Sequence, residues 1–124
     1  MVTSFQEKKA AKKDKKGQDS ILVIDDEPGI CEYISTFLAK AGYQISSLTN
    51  PREALDQIQM LKPSIVLLDI VMPDINGLEI LKGIKKINPE TCVIIMTGIK
   101  DDSICRESLE LGACDYLVKP FSLD

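Results

Sequence analysis

Ile65-Val66-Leu67-Leu68-Asp69 is the stretch that decides the fold: four apolar residues in succession, closed by a carboxylate. A strand with one wet face alternates apolar and polar residues. An unbroken apolar run is the mark of a strand covered on both faces, as in parallel sheets. The same grammar recurs outward in both directions. Ile21 to Ile24 ends at Asp25-Asp26, Cys92 to Met96 stops at Thr97-Gly98, and Tyr116 to Val118 runs into Lys119-Pro120, with Tyr43 to Ser47 a further short strand. Helical patterns separate them. Ile30, Ile34, Phe37, Leu38 and Ala41 recur at helical spacing from Pro28 to Ala41, and Gly42 supplies the stop. Asn50 can cap a second helix with Pro51 at its first position and Glu53 three residues on, the spacing of a capping box. A loop with Pro73 and Gly77 leads into a third helix through about Ile87, and Asp101 or Asp102 caps a fourth that ends at Gly112. Strands alternating with helices predict an α/β, doubly wound, five-stranded parallel sheet.

Composition sets the outer limits. At 124 residues, 44% hydrophobic and 27% charged, the chain is one domain's worth of sequence. No apolar run approaches the roughly 20 residues of a membrane span, and the lysine-bearing N-terminus lacks the apolar core of a secretory signal, so a cytoplasmic location away from membranes is expected. The net charge of −4 is unevenly placed. Residues 1–18 hold six lysines against Glu7 and Asp14, or +4, whereas 19–124 hold nine basic and seventeen acidic residues, or −8. Residues 1–19 are therefore expected to form a solvated, disordered tail, and 20–124 the domain. An acidic body argues against direct nucleic-acid binding. Cysteines at 31, 92, 105 and 114 form no C-x-x-C pair, and histidine is absent. Structural zinc is thus disfavoured, and the cysteines read as small buried hydrophobes. The chain cannot itself carry phosphohistidine.

In doubly wound sheets, chemistry collects at the carboxyl ends of the strands. Here those ends are Asp25, Asp26, Asp69, Thr97 and Lys119. Each taken alone is unremarkable: Asp69 would pass for a turn residue and Thr97 for an ordinary strand end. Together they change meaning. Converging carboxylates repel unless a cation neutralises them. Oxygen ligands without His or thiolate select a hard ion, Mg²⁺ first and Mn²⁺ second. A lysine and a hydroxyl beside such a metal describe a phosphoryl site in which a carboxylate can be the nucleophile. Glu27 and Asp74, close by, read as cap and turn residues, and Gly77 and Gly98 as positions set by backbone conformation or close packing.

The segments V-I-D-D-E (23–27), L-L-D-I-V-M-P-D-I-N-G-L-E (67–79), I-I-M-T-G (94–98) and G-A-C-D-Y-L-V-K-P-F (112–121) resemble the four signatures of the response-regulator receiver family, in order and spacing, over residues 20–121. The resemblance implies a flavodoxin-like strand order 2-1-3-4-5 and a switch of two-component phosphorelays rather than an enzyme. It implies that Asp69 accepts a phosphoryl group from a sensor histidine kinase or histidine phosphotransfer protein. It further implies metal ligation by Asp25, Asp26, Asp69 and the Val71 carbonyl, phosphoryl pairing by Lys119, and a Thr97–Tyr116 switch that signals to an output domain or downstream protein. A cis Lys119–Pro120 bond is part of the same pattern. Val71 and Ile99, each two residues past a site residue, are apolar and are expected to shield the phosphoryl-aspartate from water.

One departure from the family's pattern and three rival functions stand beside this resemblance. The family's last helix is expected to be missing or truncated, because the sequence stops at Phe121-Ser122-Leu123-Asp124. A sheet face left less covered would favour dimerisation or disorder, so a homodimer is among the expected partners. An aspartate-nucleophile phosphatase would want a second acid where Val71 stands. A flavodoxin-like cofactor binder would want Gly, Ser or Thr where Asp25-Asp26-Glu27 stands. A docking module that is never phosphorylated would not need the full set of site residues.

Overall fold

The apolar runs are buried as their patterning requires. In a computed structural model that describes residues 20–72, 75–98 and 102–119, β1 (Ser20–Ile24), β3 (Ile65–Asp69) and β6 (Cys92–Thr97) are almost wholly buried, while β2 (Gln44–Leu48) and β7 (Asp115–Val118) are half exposed. The split follows from position. The sheet order is β2-β1-β3-β6-β7, so the three apolar strands are central and the two mixed ones are edges. Counting only these five, the order is 2-1-3-4-5, as expected, and every pairing is parallel. Two further two-residue strands, β4 (Val71–Met72) and β5 (Ile75–Asn76), pair antiparallel beside the sheet.

Alternate side chains of the central strands enter opposite cores. Leu22, Ile24, Val66 and Leu68 face helices α2 (Ala54–Leu61) and α3 (Gly77–Ile87), meeting Ile58, Leu81 and Ile84. Ile21, Val23, Ile65 and Leu67 face α1 (Pro28–Lys40), meeting Cys31, Ile34 and Leu38. Each of these fully buried aliphatic side chains contributes about 1.5–3 kcal/mol of hydrophobic stabilisation. The α1 helix stops at Gly42, whose φ of 99° is open to glycine, and α4 (Asp102–Glu110) is followed by Gly112 at 106°.

Local starts differ in detail from the sequence pattern. Pro51–Glu53 is a 3-10 turn ahead of α2. Asn50 accepts a hydrogen bond from the Arg52 N–H and donates its side-chain amide to Glu53, so the box closes through side chains. Gly77 is held by close packing, whereas a Cβ on Gly98 would meet nothing within 4 Å and its φ is not positive; neither reason given for Gly98 applies. Residues 1–19, Pro73, Asp74, Ile99, Asp101 and the Lys119–Pro120 bond, with the chain's last residues, lie outside the described residues. Among those described, no helix is long and apolar enough to cross a membrane.

Candidate functional site

Parallel pairing brings the carboxyl ends of β1, β3 and β6 to one edge of the sheet, because all three strands point the same way. Asp25 follows β1, Asp69 ends β3, Thr97 ends β6 and Lys119 follows β7. The loops are pinned there by main-chain bonds: Asp25 N–H to the Leu48 carbonyl, Ile70 N–H to Met96, and Lys119 N–H to Thr97 at 2.7 Å.

At the centre stands the Lys119 ammonium. Its Nζ lies 2.6 Å from Asp25 Oδ2, 3.4 Å from Asp69 Oδ2 and 3.7 Å from Glu27 Oε1. Asp25 and Asp69 are buried, and their other oxygens are taken by main-chain donors, the Glu27 N–H at 3.0 Å and the Val71 N–H at 3.0 Å. A buried carboxylate with one charge partner and one N–H donor is oriented but poorly solvated. Burial accordingly pushes the Asp69 carboxyl up from 3.8 to about 6, with the Asp25 charge adding to it, against the opposing pull of the Val71 N–H and of Lys119. Burial alone would lower Lys119, but its hydrogen bond to Asp25 and the charges of Asp69 and Asp25 hold it above the usual lysine range. Behind the site, Cys31 Sγ donates to the Asp25 carbonyl at 3.4 Å, and burial with the Asp25 charge raises its thiol.

A raised carboxyl has a sign for stability. Asp69 binds its proton more tightly folded than unfolded, so its contribution is full below the unfolded value and is lost as pH rises through about 6. In chelator at neutral pH, Asp69→Asn is expected to raise the free energy of urea unfolding by on the order of 1–2 kcal/mol. The margin should shrink at about pH 4.5, where the native Asp69 is already protonated. Equal midpoints for both proteins at neutral pH would exclude this strain.

The carboxylate oxygens of Asp25, Asp26 and Glu27 lie within 4.8 Å of one another, an all-oxygen donor set that fits a hard divalent cation. Asp69 is not in that group; it joins the site through Lys119. Thr97 is buried, and Tyr116 stands exposed on the edge strand. Their strands pair Thr97 with Val118 and Ile95 with Tyr116, which puts Thr97 and Tyr116 on the same face, two residues apart along the ladder. The Val71 side chain is exposed at the rim. Glu27, read from sequence as a cap, occupies the N-cap of α1 without a side-chain cap bond. Its carboxylate turns to Lys119 instead, and no local sequence signal marks that choice.

The family model of the response regulator receiver domain matches residues 21–124. The chain is 40% identical over 106 residues to sporulation initiation phosphotransferase F of Bacillus subtilis, covering 86% of each protein. It is 36% identical over 102 residues to chemotaxis protein CheY of Thermotoga maritima, covering 82% of this chain and 85% of that one. Among solved structures, Vibrio cholerae chemotaxis protein CheY4 superposes with a TM-score of 0.80 at 28% identity, over 86% of this chain and 90% of that one.

Proposed function

The chain belongs to the response-regulator receiver family, signalling switches of two-component systems, and from that premise we propose that Asp69 is the residue that takes up the phosphoryl group. One observation carries the reading: Asp69 is a buried carboxylate whose two oxygens are divided between the Val71 N–H and the Lys119 ammonium. The donor to Oδ1 fixes the side chain, which leaves the Oδ2 side, beside Lys119, as the place where negative charge can be received. Lys119 then pairs with a phosphoryl oxygen, and the Thr97 hydroxyl can follow. Movement of Thr97 opens room on the face it shares with Tyr116, so the surface of α4 and β7 would report the change.

Asp25 and Asp26, with Asp69 and the Val71 carbonyl, would hold Mg²⁺, or Mn²⁺ as second choice. When bound, the ion neutralises the carboxylates and accepts a phosphoryl oxygen. A sensor histidine kinase or histidine phosphotransfer protein supplies the group, and an output domain, a downstream protein or a second copy receives the signal. We read 20–124 as the switch domain, with residues 1–19 outside it. It acts in the cytoplasm without contacting nucleic acid or membrane, and it assists only its own phosphorylation and dephosphorylation.

The test is chemical. With magnesium and a small acyl phosphate, the chain should take up a hydroxylamine-labile phosphoryl that maps to the Asp69 peptide. A hydroxylamine-stable ester, or label on another peptide, would overturn the assignment. Val71 gives a second expected result. Its exposed side chain stands two residues past the acceptor, where it hinders an attacking water. Val71→Asn, which offers that water a hydrogen bond, should speed loss of the label by about tenfold, or about 1.4 kcal/mol of barrier. An unchanged half-life after donor removal would sink the idea. Ile99, two residues past Thr97 in sequence, is proposed to act alike.

A further inference from the structure

Glu27 sits where a different residue would be chosen if capping were its task. Short side chains such as Ser, Thr, Asp and Asn reach the free N–H groups at a helix start, and Glu at this position does not. The main chain does the work here. The Glu27 carbonyl accepts from the Ile30 and Cys31 N–H groups, and its own N–H donates to Asp25. With the backbone tied at both ends, the side chain reaches Lys119 at 3.7 Å and stays 64% exposed, whereas the Asp25 and Asp69 side chains, which hold the same ammonium from inside, are nearly inaccessible.

We propose that Glu27 is a specificity-determining residue of this site, an acid on the solvent side of Lys119 that disfavours small anionic phosphodonors on their way to Asp69. The inference rests on Asp69 being the acceptor. In the step concerned, an Asp69 oxygen forms a bond to phosphorus while the bond between phosphorus and the donor's acyl oxygen breaks. The acylate leaves with the electron pair, and no proton or redox partner is required. The donor's phosphoryl must reach the ammonium that Glu27 already faces. It therefore meets a negative charge at the rim and competes with it for Lys119. A donor that binds through a wider surface can offset that repulsion elsewhere, whereas a small one has no other contacts.

The experiment uses the whole chain, saturating Mg²⁺ and acetyl phosphate, and reads the second-order rate constant of Asp69 labelling. Glu27→Gln should label about fivefold faster than the native protein, roughly the effect of one unit charge at about 4 Å in water. Glu27→Lys, which reverses the charge, should label faster than Glu27→Gln. The differences should collapse between about 0.02 M and about 0.5 M salt, as screening of an exposed charge requires. Equal rates for Gln and the native protein, or a gain that persists in high salt, would overturn the role of Glu27 and leave Asp69 untouched. A slower Gln variant with weakened Mg²⁺ binding by calorimetry would overturn it in favour of a metal-holding role. A native chain that takes no label on Asp69 would remove the acceptor reading and this inference together.

Discussion

Asp69→Asn is expected to lower magnesium-dependent labelling by a small acyl phosphate by on the order of a thousandfold or more, the scale of losing a covalent nucleophile. The substitution is nearly isosteric, so what it removes is charge. The amide oxygen can still accept from the Val71 N–H, and Lys119 keeps its shorter contact to Asp25. The scaffold should therefore survive, and in chelator the variant should be more stable than the native protein, since the carboxyl it replaces is strained by burial. That pairing of outcomes is the strength of the test. Lost labelling in an unfolded variant would say nothing about the acceptor, whereas lost labelling in a stabilised one isolates the nucleophile. Residual label should be mapped, because Asp25 shares the same ammonium. Native-like labelling of Asp69→Asn would exclude Asp69.

The five long strands were legible because central parallel strands have no polar face to interrupt them, and Ile65 to Leu68 is the clearest case. The site was legible for a related reason. Parallel strands deliver their last residues to one edge, so strand-end Asp69 and post-strand Asp25 and Lys119 could be grouped before any distance was known. The β4–β5 pair was not visible, since two-residue strands are too short to show a period. Nor was the direction of Glu27. A long exposed side chain is aimed by whatever charge the fold places near it, and here that charge is Lys119, far away in sequence. Gly77 lies between these cases. The sequence marked it as special and left open whether conformation or space was the cause; the neighbouring atoms of Ile70 give the answer, which is space.

That distinction has a measurable consequence. In a helix, Ala is ordinarily favoured over Gly by about 1 kcal/mol, and Gly77 is the first residue of α3, after the Asn76 cap. A Cβ there would stand 2.3 Å from the Ile70 Cα and within 3 Å of its Cβ and Cγ2. The first of these is backbone, so no rotamer change relieves the clash. Ile70 is itself anchored, its N–H donating to the Met96 carbonyl in β6. Either the start of α3 or the end of β3 has to move, and the end of β3 carries Asp69. Gly77→Ala is expected to cost about 3 kcal/mol or more in urea unfolding, at or above the upper range for overpacking. It should also slow labelling of Asp69 in whatever fraction stays folded. Two other glycines calibrate the result. At Gly29 in α1 a Cβ meets nothing within 4 Å, so Gly29→Ala should be neutral or stabilising, by up to about 1 kcal/mol. At Gly83 its three nearest neighbours are all Leu55 side-chain atoms, the end methyls closest at 2.8 and 2.9 Å. That end can swing away, so the cost should fall between the other two. A Gly77→Ala protein within about 0.5 kcal/mol of native, the ordinary range for a harmless surface change, would show that the approach of α3 to Ile70 is not what holds Asp69 in place.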